Sequence, residues 1–279
     1  MTASLFLVLF VGALAGAALG SALGMAGGIF VVPLLTLVAH VPFPAAVAVS
    51  LVSVIACSCA SGPKFLASGL TNLRLAIVLE VATTLGALVG VLMTDTVPAR
   101  VLYGVFAAVL VVSAIQMVSG RRRAVASTTG ARSSRFAGSF VDHDGRSVDY
   151  HADRVPLGAG LMFGAGTLSA LLGIGSGVLK IPAMDAAMRL PIKVSSATAN
   201  LMIGVTACGA AAAHLVAGSL DLELAVPVVL GSVLGSVLGA KMLVRAAGPA
   251  LRIVFTVVLA VLAVPMTANA LGLGGWIGR

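Results

Sequence analysis

Charged residues are scarce in this sequence: they make up only 9% of its 279 residues, and aromatic residues make up another 5%. Soluble domains carry about 25% charged residues, so this chain has too few to cover a globular surface. Hydrophobic residues reach 59%. Apolar runs of about 20 residues, long enough to cross the hydrocarbon core of a membrane, recur along the chain. The composition therefore predicts a polytopic α-helical protein whose main partner is the lipid bilayer.

Cysteine is also rare. Cys57, Cys59 and Cys208 are odd in number and lie inside apolar segments, which argues against a disulfide framework and favours small packing residues. His143 and His151 lie near aspartates, but their spacing fits no standard zinc site. We expect neither a metal nor another cofactor.

The net charge of +8 comes from basic residues between the apolar segments, without interleaved aromatic residues. Membrane topology explains this pattern better than nucleic-acid binding does, so we expect no nucleic-acid partner. The first residues contain small-residue patterns like those of signal-peptide cleavage sites. They lack a basic n-region, however, and residues 12–23 match residues 161–172, so we expect a retained first span.

The sequence contains an internal duplication with an offset of 149 residues. GMAGGIFVVP at residues 24–33 has the same frame as GIGSGVLKIP at residues 173–182, and the register holds well beyond both motifs. The predicted apolar segments are 3–23, 28–40, 44–62, 73–93, 99–119, 156–172, 178–190, 194–213, 222–244 and 251–273. The expected fold is all-α, with two inverted-topology repeats of about five helical segments each and short broken helices at the glycine-rich motifs.

This organisation divides the chain into a first transmembrane repeat at residues 1–119, a polar, loosely ordered linker at 120–155 and a second repeat at 156–279. If all ten segments cross the membrane, fourteen basic residues lie on one side and three on the other. If the short second segment of each half is re-entrant, the count becomes ten against six. The positive-inside rule favours ten crossings, with both termini outside and the linker in the cytoplasm. We expect the protein to lie in the inner (plasma) membrane.

The two short segments begin after glycine breaks, and paired breaks of this kind point to the central site of a transporter. A helix beginning near Val178 would direct unpaired N–H groups into its break, close to Lys180. An anion between the N–H groups and Lys180 would accept hydrogen bonds from the former and balance the charge of the latter, and the Ser176 hydroxyl could be a further donor. The alternative is that the glycines allow close helix packing and that Lys180 extends to the membrane surface. The first repeat has Val31 in place of Lys180, so the charge is asymmetric.

Further polar residues lie at the start of the segment 194–213 and at Ser50 in the first half. Their side chains could donate to the same ligand or bond back to carbonyls of their own helices. The predicted substrate-binding residues are Gly24, Gly27, Gly28, Ser50, Gly173, Gly175, Ser176, Gly177, Lys180, Ser195, Thr198 and Asn200. Glu80 is the one acidic residue well inside an apolar segment of the first half, which makes it the candidate for proton coupling.

Three features of the sequence resemble the sulfite exporter TauE/SafE family. They are the duplicated glycine break followed five residues on by proline, the motif ATAN at 197–200 echoed by AVSL at 48–51, and the loop FLASGLTN at 65–72 paired with HLVAGSLD at 214–221. The resemblance implies secondary transport of a small sulfur-containing anion, such as sulfite or an organosulfonate, and it implies that the protein is not an enzyme.

Three rival interpretations remain open. One is an anion channel, or a permease for a substrate without sulfur. Another is an intramembrane hydrolase that uses Ser176 and His214, although Ile174 stands where such enzymes have the first glycine of Gly-x-Ser-Gly. A third is a structural membrane scaffold. The many Gly and Ala residues also permit pairing of two copies in the membrane, so a homodimer is compatible with the sequence.

Overall fold

A computed structural model describes residues 2–22, 24–25, 27–94, 96–119, 136–141, 147–216, 218, 220–245 and 249–271. In these ranges the chain forms ten helices and one two-stranded sheet. The helices of the first half are α1 (Ala3–Ala22), α2 (Gly28–Leu37), α3 (Phe43–Ala67), α4 (Leu73–Met93) and α5 (Ala99–Ser119). Those of the second half are α6 (Val155–Leu172), α7 (Gly177–Met188), α8 (Ile192–Val216), α9 (Leu222–Arg245) and α10 (Pro249–Ala270).

Six helices in the described ranges, α1, α3, α4, α6, α8 and α9, are long and apolar enough to cross a membrane. Large apolar side chains cover their outward faces; Ile77 and Val81 on α4 are 61% and 60% exposed. Water would make such a surface costly, whereas lipid tails make it favourable. The prediction of an all-α polytopic membrane protein is confirmed.

Helices α2 and α7 are shorter than the segments predicted for them. They have 10 and 12 residues, which corresponds to about 15 Å and 18 Å at 1.5 Å per residue. The predicted segments 28–40 and 178–190 continue past the C-terminal end of each helix. His40 and Arg189 adopt left-handed backbone conformations, with φ of 54° and 55°. A left-handed residue cannot continue an α-helix, so the apolar pattern outlasts the helix at both places.

The packing of the helices follows the duplication. The contact of α1 with α9 corresponds to that of α6 with α4, and the contact of α3 with α9 corresponds to that of α8 with α4. Helices α5 and α10 pack on each other, as do α3 and α8. Each short helix lies between its own first and third helices, since α2 contacts α1 and α3 and α7 contacts α6 and α8. Most helices therefore pack against helices of the other half.

Glycines allow the closest of these contacts. A Cβ atom at Gly86 of α4 would overlap the carbonyl oxygen of Phe163 on α6, and one at Gly235 of α9 would overlap the carbonyl oxygen of Leu14 on α1. The two positions are equivalent in the duplication, as are the two carbonyls. The long helix pairs are thus held at a separation that only a residue without a side chain permits.

The linker contains an element that the sequence did not predict. Strands β1 (Gly138–Val141) and β2 (Ser147–Tyr150) form an antiparallel hairpin, which corrects the expectation of a loosely ordered linker for this part of it. Residues 120–135 and 142–146 of the linker lie outside the described residues. Tyr150 is buried, and the Asn72 side chain donates hydrogen bonds to its hydroxyl and to the Phe136 carbonyl. The hairpin therefore packs on the α3–α4 connection.

We predict that Tyr150→Ala releases this hairpin from the helices. The change removes the aromatic ring beside Phe140 and the hydroxyl that accepts a hydrogen bond from Asn72. A loss of about 1.4 kcal/mol or more in docking free energy would raise the population of undocked hairpin about tenfold. Trypsin cleavage after Arg154, followed by mass spectrometry, measures that population. Ser147→Ala, at an exposed position of the same hairpin, is the control and should leave the cleavage rate unchanged. Equal cleavage rates in the two variants would contradict the docking.

Candidate functional site

The two glycine breaks touch each other inside the bundle. A Cβ atom at Gly28 would lie 3.0 Å from the carbonyl oxygen of Gly173, and one at Gly177 would lie 2.9 Å from the Cα atom of Met25. The Cβ atom at Gly28 would also lie 3.1 Å from the carbonyl carbon of Ile174. This contact is equivalent to that of Gly177 with Met25, because Gly28 corresponds to Gly177 and Met25 to Ile174 in the duplication. The breaks of the two halves therefore form one continuous central region.

The backbone in this region requires glycine at particular positions. Gly24 and Gly173 correspond to each other and have φ of 75° and 66°, and each lies against the backbone of a neighbouring helix, at Ser196 and Val47 respectively. Other residues rarely adopt this conformation, and here a side chain would also have no space. Gly175, with φ of 59°, continues the turn in the second half.

Ser50 joins the two breaks. Its hydroxyl group lies 2.7 Å from the Gly173 carbonyl and 3.2 Å from the Gly28 carbonyl, so it can donate to either, and the side chain is fully buried. The hydroxyl thus partners the carbonyl of Gly173, the C-cap of α6, which has no intrahelical partner, and it also reaches the Gly28 carbonyl in the first turn of α2. Contrary to one of the two expectations, it does not bond back to its own helix.

Lys180 lies in the first turns of α7 and is fully buried. Its ammonium nitrogen Nζ donates to Glu80 Oε2 of α4 at 3.2 Å and to Thr206 Oγ1 of α8 at 2.8 Å. The Thr206 hydroxyl in turn donates to Glu80 Oε1 at 2.5 Å. These three residues, which we call the buried charge triad, connect helices of both halves. The alternative in which Lys180 extends to the membrane surface is wrong.

Helix geometry explains how Lys180 reaches this position. Side chains on a helix point toward its N-terminus, so the long Lys180 side chain returns toward the break in which α7 begins. Gly177, at that break, lies against Ile203 of α8, and Thr206 follows Ile203 by almost one turn. The ammonium group therefore lies close to the level at which the two breaks meet.

The start of α7 differs from the expectation in one respect. The Ser176 amide donates to the Ser169 hydroxyl at 2.9 Å, and the Gly177 amide donates to the Gly175 carbonyl at 2.5 Å. Two of the N–H groups expected to face an anion are thus already bonded within the protein. The cationic part of the site rests on Lys180 more than on the helix terminus.

The other predicted polar residues are spread over this interface. Thr198 accepts from the Asn72 amide at 3.0 Å, and Asn200 donates to the Ser61 hydroxyl at 2.7 Å, so both connect α8 to other elements. The hydroxyls of Ser176 and Ser195 are buried and have no hydrogen-bond partner among the described residues. Gly27 lies against the backbone of Ala17 on α1. Of the predicted polar residues, the two serine hydroxyls and the acceptor oxygen Oδ1 of Asn200 thus have no partner in the part of the chain that the structure describes.

Beside the triad lies a groove between α4 and α8, with a volume of about 480 Å³. Its walls are apolar apart from Glu80 and Thr84, whose hydroxyl lies 3.4 Å from Glu80 Oε1. The Glu80 side chain is 12% exposed there, whereas Lys180 is not exposed at all. The carboxylate therefore has adjacent space, and the ammonium group does not.

Sequence reasoning identified Lys180 and Glu80 separately but missed Thr206 and the pairing. The duplication contains a signal for it, because the three members of the triad correspond to Val31, Val229 and Cys57 in the other half. Two charges that each replace a valine in an otherwise apolar repeat compensate each other best if they meet. The pairing with Glu80 also explains how a cation is held near a helix N-terminus.

The geometry does not support the hydrolase. His214 lies in the last turn of α8, eleven residues beyond Ile203, or about 16 Å along the helix axis. Ser176, next to Gly177, lies at the level of Ile203. This separation is far beyond hydrogen-bond length. In the described ranges, no three His, Cys, Asp or Glu side chains come together as a metal site either. His143 lies outside those ranges.

The family model of the sulfite exporter TauE/SafE family matches residues 8–266, nearly the whole chain. The chain belongs to this family. No curated protein and no solved structure matches it. Membership in the TauE/SafE family makes the chain a multi-pass membrane transporter of sulfite or related anions, which confirms the resemblance seen in the duplicated motifs. The family is one of transporters and not of enzymes.

Proposed function

We propose that this TauE/SafE protein carries a small sulfur oxyanion, sulfite or an organosulfonate, across the plasma membrane by alternating access, with Lys180 as its cationic contact. One observation carries the proposal: a fully buried ammonium group lies beside the place where two broken helices meet. A buried charge inside a membrane bundle is expensive and is a functional candidate by default. Binding of an anionic substrate would account for a cation at this position.

The substrate contacts follow from the same geometry. The unpartnered, buried hydroxyl of Ser176 supplies a donor to an oxyanion, and Lys180 supplies the charge. The predicted contact from Ser195 is not part of this site, because Ser195 precedes Thr206 by eleven residues on α8, or about 16 Å along the helix axis. The glycines at 24, 27, 28, 173, 175 and 177 let the two breaks pack closely against each other and against neighbouring helices, which forms the centre in which we place the ligand. Ser50, Thr198 and Asn200 hold the surrounding helices in register through their hydrogen bonds.

The duplicated packing supports alternating access. Each half contributes one short helix to the centre, and the contacts between the halves are repeated by the pseudo-symmetry. Two such halves can exchange roles, so that the centre opens to one side and then to the other. Since Lys180 is buried, it drops out of the count of loop charges, which becomes fourteen against two. We therefore place the hairpin side in the cytoplasm and both termini outside.

The proposal predicts that Lys180→Ala abolishes anion binding while Lys193→Ala retains it. Of these two lysines, Lys180 lies beside the breaks, whereas Lys193 lies in the first turn of α8. A ligand at about 100 times its dissociation constant stabilises the native state by about 2.7 kcal/mol, which a thermal-shift assay detects. Sulfite, thiosulfate, sulfoacetate, taurine, sulfate and chloride form the panel. The variants are compared with and without anion, each against its own melting temperature.

The expected result is a shift with a sulfur oxyanion in wild type and in Lys193→Ala, and none in Lys180→Ala. Equal losses in the two variants would show that Lys180 is not the specific contact. No shift with any anion, in wild-type protein that melts cooperatively, would argue for a substrate outside this class.

A further inference from the structure

We propose that the Glu80 carboxylate occupies the place of the transported anion in the empty protein, so that each bound anion requires the uptake of one proton by Glu80. This inference rests on the proposed function, because it assumes that the anion binds at Lys180. It adds the identity of the competing group and fixes the proton stoichiometry at one proton for each monovalent anion.

The buried charge triad has the geometry of an oxyanion site with an internal occupant. One carboxylate oxygen, Oε2, accepts from the Lys180 ammonium at 3.2 Å, and the other, Oε1, accepts from the Thr206 hydroxyl at 2.5 Å. A cation and a hydroxyl donor thus contact two oxygens of one anion. A sulfonate or sulfite group presents oxygens of the same kind and can use the same two donors. Both ligands therefore compete for one position.

Charge balance makes the competition depend on a proton. Lys180 and Glu80 together are neutral, and a second anion beside an ionised Glu80 would leave one uncompensated negative charge in a buried site. If Glu80 takes up a proton, the protein again holds one cation and one anion. In this exchange the Glu80 carboxylate takes up one proton and becomes a carboxylic acid. The incoming anion then pairs with the Lys180 ammonium group in its place. The proton comes from the water phase that admits the anion, and no covalent bond other than O–H forms.

Within the ranges that the structure describes, Lys180 is the only charged side chain that contacts Glu80; Arg74, the other charged residue of α4, lies six residues earlier, or about 9 Å along the helix axis. Lys180 reaches it from α7 and Thr206 from α8, and its own helix contributes Thr84. Helix α6, which also packs on α4, has no ionisable residue in its sequence. The ionisable groups of α8, Lys193, Cys208 and His214, lie at its first turn, on its outward face and at its last turn. Among the described residues, the local electrostatics therefore reduce to one ion pair.

The structure also offers a place for the displaced side chain. The groove between α4 and α8 begins at Glu80, and the Thr84 hydroxyl at its wall is already 3.4 Å from Oε1. A protonated carboxyl group can turn into this groove and keep a hydroxyl partner there. The equivalent positions of the other half hold Val31, Val229 and Cys57, so the duplication provides one such exchange site and not two.

The test measures the dissociation constant of methanesulfonate between pH 5 and pH 8 by calorimetry, in chloride-free buffer. Methanesulfonate keeps its single charge over this range, so any pH dependence belongs to the protein. Wild type should bind about tenfold more weakly for each pH unit once Glu80 is ionised, as linkage to one proton requires. Glu80→Gln should bind with no pH dependence and more tightly than wild type at pH 8. Glu223→Gln, at the only other glutamate, should behave like wild type.

A second measurement needs no variant. Methanesulfonate titrations of wild type at pH 7 in two buffers of different ionisation enthalpy give the number of protons taken up, which should be close to one. No uptake, or a Glu80→Gln protein that keeps the wild-type pH dependence, would overturn the competition while leaving Lys180-dependent binding intact. Absence of binding in wild type, by contrast, would overturn the proposed function itself.

Discussion

Lys180→Met alone is expected to destabilise the protein by about 3–5 kcal/mol, and adding Glu80→Gln is expected to restore most of that loss. The single change leaves the Glu80 carboxylate, on a side chain that is only 12% exposed, beside an apolar side chain. Removing one partner of a buried ion pair costs far more than replacing both. Neutral residues also fit such a place, because Val31, Val229 and Cys57 occupy the equivalent positions.

Unfolding of the purified protein in detergent, by heat or by denaturant, measures these differences. Glu223→Gln on exposed α9 surface is the control and should change little. The double variant should fold like wild type and yet show no thermal shift with a sulfur oxyanion. That combination would show that the ion pair is kept for function and not for stability. A double variant that is as unstable as Lys180→Met would instead make the pair a structural element.

Gly86→Ala is the second change with a large expected effect, a loss of about 1–3 kcal/mol or more. Its new methyl group would overlap the carbonyl oxygen of Phe163 on α6, and backbone atoms cannot move aside without separating α4 from α6. Gly164→Ala is a matched control on that same partner helix, because a Cβ atom there meets nothing within 4 Å. It should be neutral or stabilise the helix by up to about 1 kcal/mol.

Melting temperatures measured in the same detergent test this prediction: that of Gly86→Ala should fall, and that of Gly164→Ala should not. Since α4 also carries Glu80, the Gly86→Ala protein should bind its anion more weakly as well, whereas Gly164→Ala should bind normally. Similar melting temperatures for both variants would mean that the close approach of α4 and α6 is not needed for stability.

Helix positions followed closely from the sequence. The predicted segment 73–93 coincides with α4 (Leu73–Met93), and 99–119 coincides with α5 (Ala99–Ser119). Burial in lipid needs an uninterrupted apolar run of fixed length, and that requirement is local in the chain. The ends of α2 and α7 were less predictable. Left-handed Arg189 ends α7, and α2 ends at Leu37, three residues before left-handed His40, although the apolar pattern continues at both places.

The linker hairpin could not be predicted from the sequence for a different reason. Its strands have four residues each and alternate too briefly for a periodic signal, and Tyr150 is buried by Asn72 and its neighbours, which lie far away in the chain. Short strands of this kind owe their stability to tertiary contacts and not to propensity.

The sequence by itself determined the membrane class, the two broken helices, the asymmetry of charge and the TauE/SafE family, because hydrophobic length and duplicated glycines can be read along the chain. Only the tertiary structure decided which partner the Lys180 charge has. Glu80 lies one hundred residues away in the other half, and it meets Lys180 only because α4, α7 and α8 pack around the joined breaks. A buried charge must find a counter-charge, but the packing of the helices selects which one.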